Sequence, residues 1–190
     1  MPVFILLSES PPGLKRILTF LLLCLCYFTP LQADTISAAK ESELRAAIIL
    51  GIVRFTRWPE SAEVKNSLNL CLAGKPRSAE ILGSISGKHR YKEIPINIHH
   101  IDNAVKRQVQ CHAIVTGSSG ANTLPSAKHG ILTICDGCNA TLNNPMVSLI
   151  RKNNRIGFEI NLDVSKSAGI SFSSSLLELA SNIRGGHETN

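Results

Sequence analysis

The sequence predicts an α/β fold: a single three-layer domain with a mostly parallel sheet, helices on both faces and an antiparallel hairpin at one edge. Three observations carry that reading. Short apolar runs alternate with helix-patterned stretches through the middle of the chain, as in successive βαβ units. Two of those runs, His112–Gly117 and Gly130–Cys135, look like buried strands ending in turn residues. The last two runs are separated only by Lys152-Asn153-Asn154, whose Asn pair suits a tight hairpin turn.

In chain order, Lys40 to Val53 places apolar residues at Leu44, Ala47, Ile48, Gly51 and Ile52, a helical spacing with Ser42 as a cap. Pro59 disfavours helix at Trp58, so this helix ends by Arg57. Leu68–Ala73 reads as a strand closed by Gly74 and Pro76, and a short helix follows over Ser78–Ile85. Glu93–His99 alternates, with Ile94, Ile96 and Ile98 on one face. Beyond the two buried runs come strands over Met146–Ile150 and Arg155–Ile160, then a helix over Ser174–Ile183. Gly185-Gly186 opens a polar tail, residues 185–190, expected to be frayed.

At the N-terminus, Lys15-Arg16 precedes the apolar run Ile17–Phe28, and Ala33 supplies a small residue before Asp34. That order describes a secretory signal peptide over residues 1–33. The run is well short of the roughly 20 apolar residues of a spanning helix. Cys24 and Cys26 follow Leu21-Leu22-Leu23, which lacks the small residues of a lipidation site. The expected exported domain is 34–184, ahead of the tail. Processing removes Lys15, Arg16 and Glu9, two cations and one anion, so the formal charge falls from +6 to +5. The basic residues are scattered without interleaved aromatics, which argues against a nucleic-acid partner.

Four cysteines survive processing: Cys71, Cys111, Cys135 and Cys138. An even number in an oxidising compartment suggests two bridges, and sequence alone allows three connectivities. Cys135-Asp136-Gly137-Cys138 is open to three uses: a structural bridge first, a redox pair second, half of a metal site last. Acidic Asp136 disfavours a thiolate, and no second C-x-x-C completes a zinc site. His99 and His100 are adjacent on a strand, point to opposite faces and cannot chelate together. Ser118-Ser119-Gly120 reads as a plain turn. No nucleophile motif, phosphate loop or cofactor fingerprint is present, so no catalytic residue, cofactor or metal is assigned.

Two patches exceed what a plain domain requires. Arg54-Phe55-Thr56-Arg57-Trp58-Pro59-Glu60 sets the only Trp beside arginines, and Gly157-Phe158-Glu159-Ile160-Asn161-Leu162-Asp163 interleaves polar and apolar residues. With Leu70-Cys71-Leu72-Ala73-Gly74, Cys111-His112-Ala113-Ile114-Val115 and Ser167-Ala168-Gly169-Ile170, these segments resemble the YfiR family, in order, over nearly all of Glu43–Ile183. The resemblance implies a non-enzymatic periplasmic regulator. Its partners would be the periplasmic domain of an inner-membrane diguanylate cyclase, held inactive, and an OmpA-type outer-membrane lipoprotein that sequesters the regulator. Cyclic di-GMP and biofilm growth would follow, and a homodimer is implied. It also implies a Cys71–Cys111 disulfide and a partner-binding surface at Glu159 and Val164, to which Asn161, Arg57 and Trp58 are added. The family's second disulfide has no counterpart at Asn143–Ile150. An Arg and a His that touch small molecules in one branch are Ser171 and Ser173 here. Two other uses fit the residues: a ligand-binding sensor domain for another membrane receptor, and a thiol–disulfide oxidoreductase built on Cys135 and Cys138.

Overall fold

The computed structural model describes residues 37–101, 109–119 and 129–186. The expected signal peptide, Gly120 of the serine turn and residues 187–190 of the tail lie outside them.

The first helix, α1, spans Ala38–Arg54. The expected cap, Ser42, lies inside it and donates to the Ala38 carbonyl at 3.1 Å. The cap is Ser37, whose hydroxyl accepts from the Lys40 amide. The buried stripe is also rotated from the expected one. Ala46, Ile49, Ile52 and Val53 are buried, whereas Leu44 and Ala47 are exposed and Ile48 and Gly51 are half-buried. Ala46–Val53 is apolar all round, so periodicity alone does not choose a face. The choice is made one turn earlier, where Glu41 and Arg45 are themselves buried.

An eight-stranded sheet follows from β2 (Leu68–Ala73), β3 (Arg90–Tyr91), β4 (Ile94–Ile101), β5 (Ala113–Thr116), β6 (Leu132–Cys135), β7 (Val147–Lys152), β8 (Arg155–Asn161) and β10 (Asn182–Arg184). Its order is β10-β8-β7-β6-β5-β2-β4-β3. Strands β4, β2, β5, β6 and β7 are parallel, while β7–β8 and β3–β4 are antiparallel hairpins. A separate antiparallel pair joins β1 (Thr56–Arg57) to β9 (Ser171–Phe172). Short helices α2 (Ala79–Ser84), α3 (Ala140–Asn143), α4 (Leu162–Ser167) and α5 (Ser174–Leu179) complete the domain. This is the expected mixed α/β class with a mostly parallel sheet and an antiparallel pair, roughly three-layered.

Period-two alternation sorts the strands between two cores. Leu68, Leu70 and Leu72 join Ala113, Val115, Leu132, Ile134, Val147, Phe158 and Ile160 in the larger cluster, sealed by α1, α2, α4 and α5. The opposite face carries a smaller cluster of Cys71, Ala73, Ile101 and Ile114, against which Val109, Cys111 and Ile131 pack.

The C-terminal segment departs from expectation. The helix expected over Ser174–Ile183 stops at Leu179, and Asn182–Arg184 is a strand paired in parallel with β8. The Ser181 amide donates to the Phe158 carbonyl at 2.8 Å, which draws the chain out of the helix. Gly157 permits this approach, because a Cβ there would overlap the Ser181 hydroxyl. The late hairpin is therefore flanked by β10 and is not the outermost element of its edge.

Two hairpin turns make a useful contrast. Asn153 and Asn154 have φ of 48° and 60°, the left-handed pair that a two-residue turn needs and that Asn tolerates. Between β3 and β4 the same geometry falls on Lys92 and Glu93, at φ of 44° and 67°. Replacing Lys92-Glu93 by Asn-Gly relieves that strain and is expected to stabilise the domain by about 1 kcal/mol. Urea unfolding at neutral pH checks this, and an unchanged or lower midpoint would contradict it.

Candidate functional site

The chemistry-bearing side chains gather at the carboxyl end of the parallel strands. The strand order reverses between β2 and β5, a position where open α/β sheets commonly hold ligands. Here the two loops meet directly: a Cβ at Gly117 would coincide with the Lys75 carbonyl carbon. Backbone closes that part of the crevice.

Beside it lies a buried ionic cluster. Asp136, fully buried at the end of β6, accepts from Arg45 Nη1 at 2.8 Å, the Ser78 amide at 2.8 Å and the Ser78 hydroxyl at 2.6 Å. Arg45 Nε donates to Glu41 Oε1 at 2.8 Å. Glu41 also receives Arg77 Nη1 at 3.3 Å and Arg151 Nη1 at 2.8 Å. One network thus ties α1 to the start of α2, the end of β6 and the end of β7. Burial pushes the Glu41 carboxyl up, but the Arg45 hydrogen bond, the Arg45 and Arg151 charges and the Arg77 bond outweigh it and hold its pKa below the ordinary value. The sequence reading missed this cluster. Its signal was the i,i+4 pair Glu41–Arg45 leading into the apolar run of α1.

Both cysteine pairs are bridged. Cys71 on β2 joins Cys111 across a separation of 40 residues, as the resemblance implied, and Cys135 joins Cys138. The first bridge ties β2 to the segment that leads into β5 and contributes roughly 2–4 kcal/mol by restricting the unfolded chain. In the second, the intervening Asp136 carboxylate is committed to Arg45 and Ser78. Asp136 is a structural anchor for two helices.

Of the expected partner-binding residues, Glu159 and Asn161 lie on the same face of β8 and are half-buried. Phe158 and Ile160 point into the core at 7% and 0% exposure. Glu159 stands in register between Ser148 of β7 and Asn182 of β10. Asn161 caps α4, accepting from the Val164 amide at 3.3 Å, and its amide group donates to Asn144. Val164 is buried in the larger core, so its side chain belongs to packing. Leu162 starts α4 and is half-buried. Arg57 is exposed on β1, in register with Ser171 of β9. Trp58 is half-buried: its indole donates to the His112 carbonyl at 3.1 Å and meets Tyr91 edge-on. No hydrogen bond or ion pair joins the two patches among the described residues. Ser173, at one of the family's small-molecule positions, caps α5.

The histidines divide similarly. His99 reaches Asn69 Oδ1 at 3.3 Å, while His100 is exposed. His112 Nδ1 accepts from the Asn69 amide at 2.9 Å, which requires the neutral ring, and burial lowers its pKa. Folding holds His112 uncharged. Its contribution to stability is therefore complete above its ordinary value of 6.5 and is lost as pH falls through the lower folded value. The depressed Glu41 adds a second loss below 4.5. Melting temperature is expected to fall in two stages between pH 7 and 3. His112→Gln should remove the upper stage only, and a profile identical to the parent's would contradict the assignment.

Against known proteins, a family profile described as YfiR/HmsC-like matches residues 42–181. A search of curated proteins finds no match. Among solved structures, the chain is similar to a conserved domain protein from Vibrio cholerae O1 biovar El Tor at 12% identity and a TM-score of 0.45, covering 75% of this chain and 60% of that one.

Proposed function

The chain belongs to the YfiR/HmsC-like family, and from that premise we propose that it is a periplasmic protein-interaction regulator that restrains an inner-membrane diguanylate cyclase. It binds the cyclase's periplasmic domain and so lowers cyclic di-GMP and biofilm formation. An OmpA-type outer-membrane lipoprotein relieves the restraint by sequestering it, and the regulator works as a homodimer. The observation that carries this reading is the construction of β8. Phe158 and Ile160 root the strand in the core while Glu159 stays half-exposed on the other face. No hydrogen bond or ion pair engages the Glu159 side chain among the described residues, so it is free for a partner. Arg57 gives a second accessible contact.

Two disulfides and a buried ionic anchor suit a domain that works outside the cytosol as a preformed surface. The regulator shifts the cyclase only through unequal affinity for its active and inactive states. The test is capture of the purified periplasmic domain of a cyclase from the same genome on the immobilised, oxidised regulator. Retention at micromolar concentration supports the reading. No retention of any such domain would set it aside in favour of another membrane receptor.

A further inference from the structure

Two features at the β7–β8 hairpin run against stability. Lys152 and Arg155 face each other directly across the strands, an arrangement of like charges that destabilises a hairpin. Neither makes an ion pair among the described residues; the neighbouring Arg151 alone is neutralised, by Glu41. Close by, Leu179 is 69% exposed at the end of α5, the most exposed large apolar side chain described.

Both features line one open groove of about 600 Å3. Ile150, Ile156 and Leu179 give it apolar walls, Lys152 and Arg155 supply the charge, and no acidic residue borders it. Gly157 and Ser181 also line it and place no large side chain in the space. A cationic rim over apolar walls complements a ligand with an anionic head and an acyl tail.

We propose that this groove docks the domain on a bilayer by engaging an anionic phospholipid, the phosphate between Lys152 and Arg155 and an acyl segment against Leu179 and Ile156. Surface potential draws the basic tip in, and the exposed leucine inserts at the headgroup boundary. Glu159 does not line this groove, and the docking does not depend on the cyclase.

Co-sedimentation of the disulfide-bonded domain with vesicles tests it. Vesicles containing phosphatidylglycerol should retain the protein, and pure phosphatidylcholine vesicles should not. Lys152→Glu with Arg155→Glu should weaken retention at least about tenfold, because each cation near an anionic surface contributes severalfold. Leu179→Asn should weaken it at unchanged salt dependence. Lys88→Glu with Lys92→Glu changes net charge equally on the opposite edge of the sheet and should leave retention unaltered. Three results would overturn the proposal: no retention on phosphatidylglycerol, equal loss in both charge-reversed pairs, or binding to soluble dihexanoyl-phosphatidylglycerol without binding to vesicles. Circular dichroism of each variant confirms that the changes at these exposed positions leave it folded.

Discussion

Arg45→Leu is expected to destabilise the domain by about 3–5 kcal/mol, the usual loss when one member of a buried ion pair is removed. The effect follows from what remains. Asp136 is 0% exposed and would be left with only Ser78 as a partner. Glu41 would keep Arg77 and Arg151, both at the surface, and is the lesser problem. For a domain of this size the change corresponds to a drop in melting temperature of roughly 10 °C. The double variant Arg45→Leu, Asp136→Leu removes the two most deeply buried charges, so it should be less destabilised than the sum of the two single changes. It does not return to parental stability, because the Ser78 amide loses its acceptor. Thermal unfolding of the three variants reads the coupling directly. Strict additivity would mean that the network is not the anchor described.

Phe158→Ala and Glu159→Ala should behave as opposites although they are neighbours on β8. Phe158 is 7% exposed in the larger core, and its truncation should cost about 3–5 kcal/mol through lost burial and the cavity left behind. Glu159→Ala should change stability by less than about 0.5 kcal/mol, as at an ordinary surface site. It should weaken lipoprotein binding by more than about 1 kcal/mol if Glu159 lies near the centre of that interface. Unfolding and pull-down on the same preparations separate the two roles. If Glu159→Ala unfolds the domain and leaves binding intact, the interaction surface is elsewhere.

The strands were legible in the sequence because their signals are local. Leu68–Ala73, the run before Thr116 and the Asn153-Asn154 turn each carry their own composition or dihedral preference, and all three form where expected. What was not legible depends on partners distant in the chain. The rotation of α1 is fixed by Arg45 reaching Asp136, 91 residues away, which no window over an all-apolar helix reveals. Ser174–Ile183 has helical character throughout, yet its end is pulled into the sheet by the Phe158 carbonyl. At the candidate site, alternation placed Glu159 and Asn161 on one face correctly. It could not show that Asn161 is occupied in capping α4 or that Val164 is turned into the core.

The most direct test of the central claim is cyclic di-GMP itself. It should be measured in cells that keep the cognate cyclase and carry the parental regulator, no regulator, or Phe158→Ala. The account predicts a low level with the parent and a severalfold rise both on deletion and with Phe158→Ala, abolished when the cyclase's periplasmic domain is removed. An unchanged level on deletion, with the cyclase present and active, would contradict it.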